Sequence, residues 1–209
     1  MRFGVSIPIP GRTVYRPPAT VHRLLAAGHW PLATGPCLAL LLGLASFAAT
    51  LERMSLEEMT AKSTAIVRAK AISSSAEFLG STIYTQTRFQ VLERWKGPEG
   101  TTVDVSEPGG RVSGVTQNYS GVPRFTPGQE VILFLWTGPS GRTQVIGLSQ
   151  GVMQVDRPAA GEAEVSREPS GEVVLAPGTL EPVADAGIRM PLRHLVTRMR
   201  GTLDRSRPR

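Results

Sequence analysis

The residues from Ser81 to Trp95 (STIYTQTRFQVLERW) keep a strict period of two, with Ile83, Thr85, Thr87, Phe89 and Val91 on one side and Tyr84, Gln86, Arg88 and Gln90 on the other. Successive side chains of a strand point to opposite faces, so this is a long strand with one face buried and one face wet. A strand of that length commits the chain to a sheet, and its partners have to lie close by in sequence. Thr64 to Ile72 (TAIVRAKAI) supplies one, since Val67, Ala69 and Ala71 alternate with Arg68 and Lys70. The polar stretch Ser73 to Gly80 between them reads as a turn, which makes the pair an antiparallel hairpin.

Lys96 to Gly100 breaks the chain, and Thr101 to Val105 follows as a third strand with Val103 and Val105 inward. Gln129 to Trp136 (QEVILFLW) is nearly continuously apolar, the pattern of a strand buried on both faces. Thr143 to Leu148, Gly151 to Val155, Ala163 to Ser166 and Gly171 to Leu175 are shorter strands, the last two joined by a turn at Pro169 to Gly171. Two helices flank this run. Ser55 and Glu58 stand three apart in a capping box that opens a short helix to Lys62. Pro191 suits the first turn of a second helix, on which Leu192, Leu195, Val196, Met199 and Leu203 form one apolar face.

The architecture expected from this order is mainly β: a small closed or half-closed barrel of five to six strands, with a short N-terminal helix and an amphipathic C-terminal helix. A β-sandwich is the alternative. The division is a leader at residues 1–48, a barrel at 49–176, a linker at 177–189, the helix at 190–203 and a basic tail at 204–209.

The leader sets the address. Leu38 to Ala49 (LALLLGLASFAA) is apolar, ends in small residues and is too short for the roughly 20 residues that span a bilayer, so it reads as the apolar segment of a signal peptide cleaved after Ala48. The basic segment before it is unusually long, and an uncleaved N-terminal anchor is the second reading. The expected location is secreted or periplasmic, with membrane contact only in transit. Of the 23 Lys and Arg, Arg2, Arg12, Arg16 and Arg23 go with the leader, which leaves 19 against 17 acids in the processed chain. The remainder is uneven, with seven arginines after Gly187 and a mildly acidic body before it. The single cysteine, Cys37, also goes with the leader, so the processed chain forms no disulfide and no thiolate metal site.

Little chemistry is left. Hydrolytic enzymes need a group that titrates near neutrality or holds a metal. After processing the one histidine is His194, on the polar side of the last helix. Glu57 and Glu58 are explained by the helix start. No catalytic residue, metal site or cofactor is assigned, and the chain reads as a monomeric, non-catalytic module. An acidic body outside the cytoplasm excludes nucleic acid. The alternatives kept are an extracytoplasmic hydrolase and a structural protein of the envelope.

The informative element is the segment 107–128, rich in glycine and proline and too long for a simple connection. Gly109 and Gly110 allow close approach, and Arg111, Tyr119, Arg124 and Phe125 are the side-chain types that anchor interfaces. These six form the candidate binding site, for an extracytoplasmic protein. Phe125 doubles as a plug for the barrel end.

Lys96, Gly97, Pro108, Gly109, Gly110, Gly121, Pro123, Phe125, Gly128, Val131, Phe134, Leu135 and Gly151, in this order and spacing, resemble a widespread uncharacterised group of bacterial exported proteins. That group is in turn similar to the OB-fold barrel of tissue inhibitors of metalloproteinases and netrin-like modules. The resemblance covers Ser55 to Val155 and implies a small OB-like barrel (the oligonucleotide/oligosaccharide-binding type), export and a binding role. The N-terminal cysteine with which those inhibitors chelate the protease zinc has no counterpart here, so their mechanism does not transfer.

Overall fold

A computed structural model describes residues 50–179 and 181–206; the expected leader lies outside the described residues. The chain is mainly β. In order, the elements are β1 (Thr50–Glu52), α1 (Leu56–Lys62), β2 (Ala65–Leu79), β3 (Thr82–Lys96), β4 (Thr102–Pro108), β5 (Gly110–Val112), β6 (Val115–Gln117), β7 (Glu130–Thr137), β8 (Thr143–Val145), β9 (Val152–Asp156), β10 (Glu164–Arg167), β11 (Val173–Leu175), β12 (Pro182–Val183), β13 (Ile188–Pro191) and α2 (Leu192–Arg205).

The main sheet runs β13-β10-β9-β7-β2-β3-β4, with β8 on the same edge of β7 as β9. β2 and β3 form the expected antiparallel hairpin, yet the expected polar turn over 73–80 is itself strand, paired residue for residue until Leu79 meets Thr82. Polar residues sit there without cost because Ser73, Ser75 and Glu77 face water, while Ser74 and Thr87 share a 2.8 Å hydroxyl hydrogen bond across the ladder. Only Gly80 and Ser81 turn, and Gly80 takes the left-handed φ of 64° that such a tight reversal requires.

β7 lies at the centre, and alternation along it divides the core. Val131, Leu133 and Leu135 join Ala65, Val67, Ala69, Ala71, Phe89 and Val105 on the inner side of the curled sheet. Ile132 and Phe134 join Ile66, Met153 and Val165 on the outer side, where both helices pack through Leu56, Met59, Leu195 and Met199. Each fully buried Leu or Met of α2 contributes about 1.5–3 kcal/mol. The capping box of α1 is present, with Glu58 N–H donating to Ser55 Oγ and Ser55 N–H to the Glu58 carboxylate. Lys96 Nζ ties the end of β3 to α1 by donating to the carbonyls of Thr60 and Ala61. It meets the negative end of the helix dipole there.

The strands do not close into a barrel. β4 and β8 share no ladder. Two antiparallel steps separate each of them from β2 in opposite directions, β3 on one side and β7 on the other, so the two edges run parallel. Their Cα atoms approach within 8 Å. Across that seam the backbone N–H of Val145 donates to Glu107 Oε1 at 2.6 Å.

The expected hairpin between residues 163–166 and 171–175 is absent. β10 lies between β9 and β13, whereas β11 leaves for a separate three-stranded sheet with β1 and β12. Arg167 explains the parting: its guanidinium holds Asp185 at 2.6 Å, with both side chains about nine-tenths buried, and so draws the returning chain alongside β10. Residues 177–189, expected as a linker, contain β12, Asp185 and the start of β13.

Candidate functional site

The segment 107–128 sits at one end of the inner core, where three features fix it. Gly109 N–H donates to the Ile83 carbonyl, and Thr85 Oγ1 donates to the Gly109 carbonyl at 2.7 Å. β5 and β6 then form a small hairpin whose Gln117 side chain clamps the β2–β3 turn, accepting from Ile83 N–H at 2.7 Å and donating to the Ser81 carbonyl at 2.8 Å. Finally Phe125 turns inward and meets Phe89 edge to face, ring centroids 4.9 Å apart.

These anchors place the six candidate residues unequally. Gly109 is buried at φ 92°, and a β-carbon on it would collide with the Arg124 guanidinium, the Gln117 carbonyl and the Tyr119 ring. Tyr119 and Arg124 therefore lie together over this one glycine, both exposed to solvent. Gly110 faces the other way, against Thr85, Ala76 and Ile83 of the β2–β3 ribbon. Arg111 is exposed on β5 and, like Arg124, makes no hydrogen bond or ion pair among the described residues. Phe125 is half-buried and packs on the inner core.

Sequence reasoning missed Glu107. It follows Val103 and Val105 in the same phase on β4, so the period of two had already placed it inward. The residue is 3% exposed. One carboxylate oxygen meets Val145, and the other, Oε2, makes no hydrogen bond. It lines a cavity of about 60 Å³ with Ser74, Thr85, Thr87, Pro123, Arg124 and Phe125. Burial pushes its carboxyl up to about 7, against the smaller opposing effects of the Val145 hydrogen bond and the Arg124 charge.

A larger cleft, about 410 Å³, lies between the start of α1 and β13, and two of its three arginines are engaged, Arg53 being the third. Arg198 holds Glu57 at 2.7 Å and Arg167 holds Asp185. His194 is exposed on α2, away from the segment 107–128 in sequence. Among the described residues no cluster of three or more His, Cys, Asp or Glu is placed to hold a metal, and no helix is long and apolar enough to cross a membrane. No protein-family model, curated protein or solved structure matches the chain.

Proposed function

We propose that the chain is an exported, non-catalytic binding module built as an OB-like barrel, and that it meets an extracytoplasmic protein through the 107–128 end. The barrel reading is supported by the β2–β3–β4 meander, by the parallel approach of β4 and β8, and by the single apolar cluster they enclose with β7. Glu107 then stands where one more ladder would have closed the cylinder. The resemblance to the inhibitor and netrin-like barrels extends no further than this fold and a binding role.

The observation that carries the binding role is the contrast within one segment. Its backbone is held by Gln117, Thr85 and Phe125, while Tyr119 and Arg124 stay exposed and take no part in that anchoring. Side chains presented on a rigid frame lose little entropy when a partner arrives. The hydrolase reading has Glu107 in its favour, because a carboxyl near 7 suits acid–base work. It is the weaker one: about 60 Å³ admits a few waters and no substrate group of useful size, and the nearby hydroxyls of Ser74 and Thr87 are bonded to each other.

The test is capture from the envelope fraction of the native host, comparing the wild-type chain with a Tyr119→Ala/Arg124→Ala double variant. Loss of a specific partner with an unchanged melting temperature supports the reading, and a double variant that keeps every partner refutes it. Mass spectrometry of the protein from the same host tests export. A mature N-terminus near Ala49 is expected, and recovery of peptides containing Thr13 or His22 from the mature product contradicts it.

A further inference from the structure

We propose that the partner of this end is an acidic polypeptide segment whose carboxylate is taken by Arg124 beside Tyr119, and that Glu107, in the wall beneath, competes with that segment for the guanidinium. The inference rests on the reading of 107–128 as the binding face.

Charge selects the partner. Residues 108–128 contain Arg111 and Arg124 and neither Asp nor Glu. Elsewhere several exposed arginines meet carboxylates, as Arg88 does with Asp104, Arg157 with Glu130, Arg193 with Glu162 and Arg198 with Glu57, whereas Arg53 and Arg200 make no ion pair among the described residues. Arg124 has no such partner among the described residues. Its position is set by the glycine at 109, which leaves room for it and for the ring of Tyr119 where a side chain would otherwise sit. A guanidinium is a planar fork that accepts one carboxylate through two parallel N–H donors, and an adjacent aromatic ring shields that pair from water. Phosphate recognition draws on clusters of arginines, so a single one favours a carboxylate.

The competition follows from what surrounds Glu107. On β4 its neighbours across the seam are the uncharged Val145 of β8; from β3 it meets Thr85 and Thr87, from β2 Ser74, and from the loop Pro123, Arg124 and Phe125. Arg124 is the one charged group among these. When the carboxyl is ionised, its unbonded oxygen is a buried negative charge with a single available counter-ion, and it holds Arg124 against the wall. When the carboxyl is protonated, that hold is released and Arg124 faces the partner. The raised titration of Glu107 puts the change near neutral pH.

The experiment uses the full exported chain, fluorescein-labelled hexaglutamate as probe and hexaserine as control, read by anisotropy at low salt at pH 6.0 and 8.5. The glutamate side chains of the probe stay ionised across this range. Hexaglutamate is expected to bind about fivefold more tightly at pH 6.0 than at pH 8.5. Glu107→Gln is expected to bind at both pH values with the pH 6.0 affinity of the wild type, and Arg124→Ala to lose about tenfold at pH 6.0 together with the pH dependence. A pH effect that survives Glu107→Gln overturns the assignment. So does an Arg124→Ala variant that binds as the wild type, or a wild type that binds hexaserine equally. A carbon-13 NMR titration of the Glu107 carboxyl adds a measurement free of ligand: its midpoint rises in Arg124→Ala if the two groups interact, and an unchanged midpoint removes the competition. If capture of an envelope partner depends on Tyr119 and Arg124 while hexaglutamate does not bind, the acidic partner is wrong and the binding face stands; if neither occurs, both fall.

Discussion

Val145 N–H and Glu107 Oε1 meet at 2.6 Å across two parallel strand edges that share no ladder. A side chain here does what a backbone carbonyl does elsewhere in the sheet. The consequence is a buried ionisable group at the joint of the fold, with its carboxyl pushed up to about 7 by burial. In the unfolded chain the same group titrates near its ordinary value of 4.5. Between these two values the folded state holds a proton that the unfolded state has lost, so stability falls as pH rises from about 4.5 to about 7 and is level above that. A difference of about 2.5 in pKa corresponds to roughly 3 kcal/mol. Glu107→Gln keeps the acceptor for Val145 and removes the charge. It is expected to abolish this slope in urea unfolding measured from pH 5 to 8, and to be more stable than the wild type at pH 8.

The buried ion pair of Arg167 and Asp185 behaves in the opposite sense. The hydrogen bonds from Arg167 hold the Asp185 carboxyl well below the usual carboxylate range, with further help from the backbone N–H groups of Ser170 and Gly187. A carboxyl depressed in the folded state stabilises at pH values above its unfolded 3.8, and that contribution is lost as pH falls below it. Removing one partner leaves the other buried and uncompensated, at a cost of about 3–5 kcal/mol. Arg167→Ala is therefore expected to lower the melting temperature sharply at pH 7 and to narrow the gap from wild type below pH 3. Equal gaps at both pH values would mean that the loss is one of packing alone.

Much of this frame was legible. The continuous apolar run of β7 announced burial on both faces, and Val131 to Leu135 are all fully buried. Ser55 and Glu58 announced a helix start, and the capping box formed as written. What stayed hidden depends on contacts distant in sequence. Ser73 to Leu79 has the composition of a turn and is strand only because β3 provides a partner for every residue of it. Ile188 to Pro191 is a strand because β10 and the Arg167–Asp185 pair lie alongside. Glu107 was placed by phase but hidden by type, since a carboxylate at an inward position is the choice that composition argues against.

The candidate site divides into residues that hold the fold and residues that do not. Phe125 packs edge to face on the fully buried Phe89, and a favourable aromatic pair adds about 0.5–1.5 kcal/mol to the burial of the ring. Because the ring is only half-buried, Phe125→Ala is expected to cost about 2–3 kcal/mol, below the range for a fully buried phenylalanine. The Tyr119 and Arg124 side chains are exposed and make no ion pair among the described residues, and at pH 6, where the Glu107 carboxyl is protonated, Tyr119→Ala and Arg124→Ala are each expected to stay within about 0.5 kcal/mol of wild type. Urea unfolding of the three variants in one buffer separates them. A Phe125→Ala variant as stable as the other two would remove the ring from the core and place it with the binding residues.

Gln117 is where the loop's rigidity can be tested directly. Its side-chain oxygen accepts from Ile83 N–H and its amide donates to the Ser81 carbonyl, so one side chain completes the backbone hydrogen bonding of the β2–β3 turn. In Gln117→Ala the Ile83 N–H loses its acceptor beside a side chain that is fully buried, and a buried donor left unpaired costs about 1–3 kcal/mol. The Ser81 carbonyl lies at an exposed turn and is repaired by water. Two effects are expected together. Global stability falls within that range, and hydrogen exchange quickens at Ile83 and along β5 and β6 while β7 keeps its protection relative to the new global stability. If exchange in β5 and β6 is already as fast in the wild type as in the variant, then Gln117 is not what holds the hairpin, and Tyr119 and Arg124 do not stand on a preformed frame.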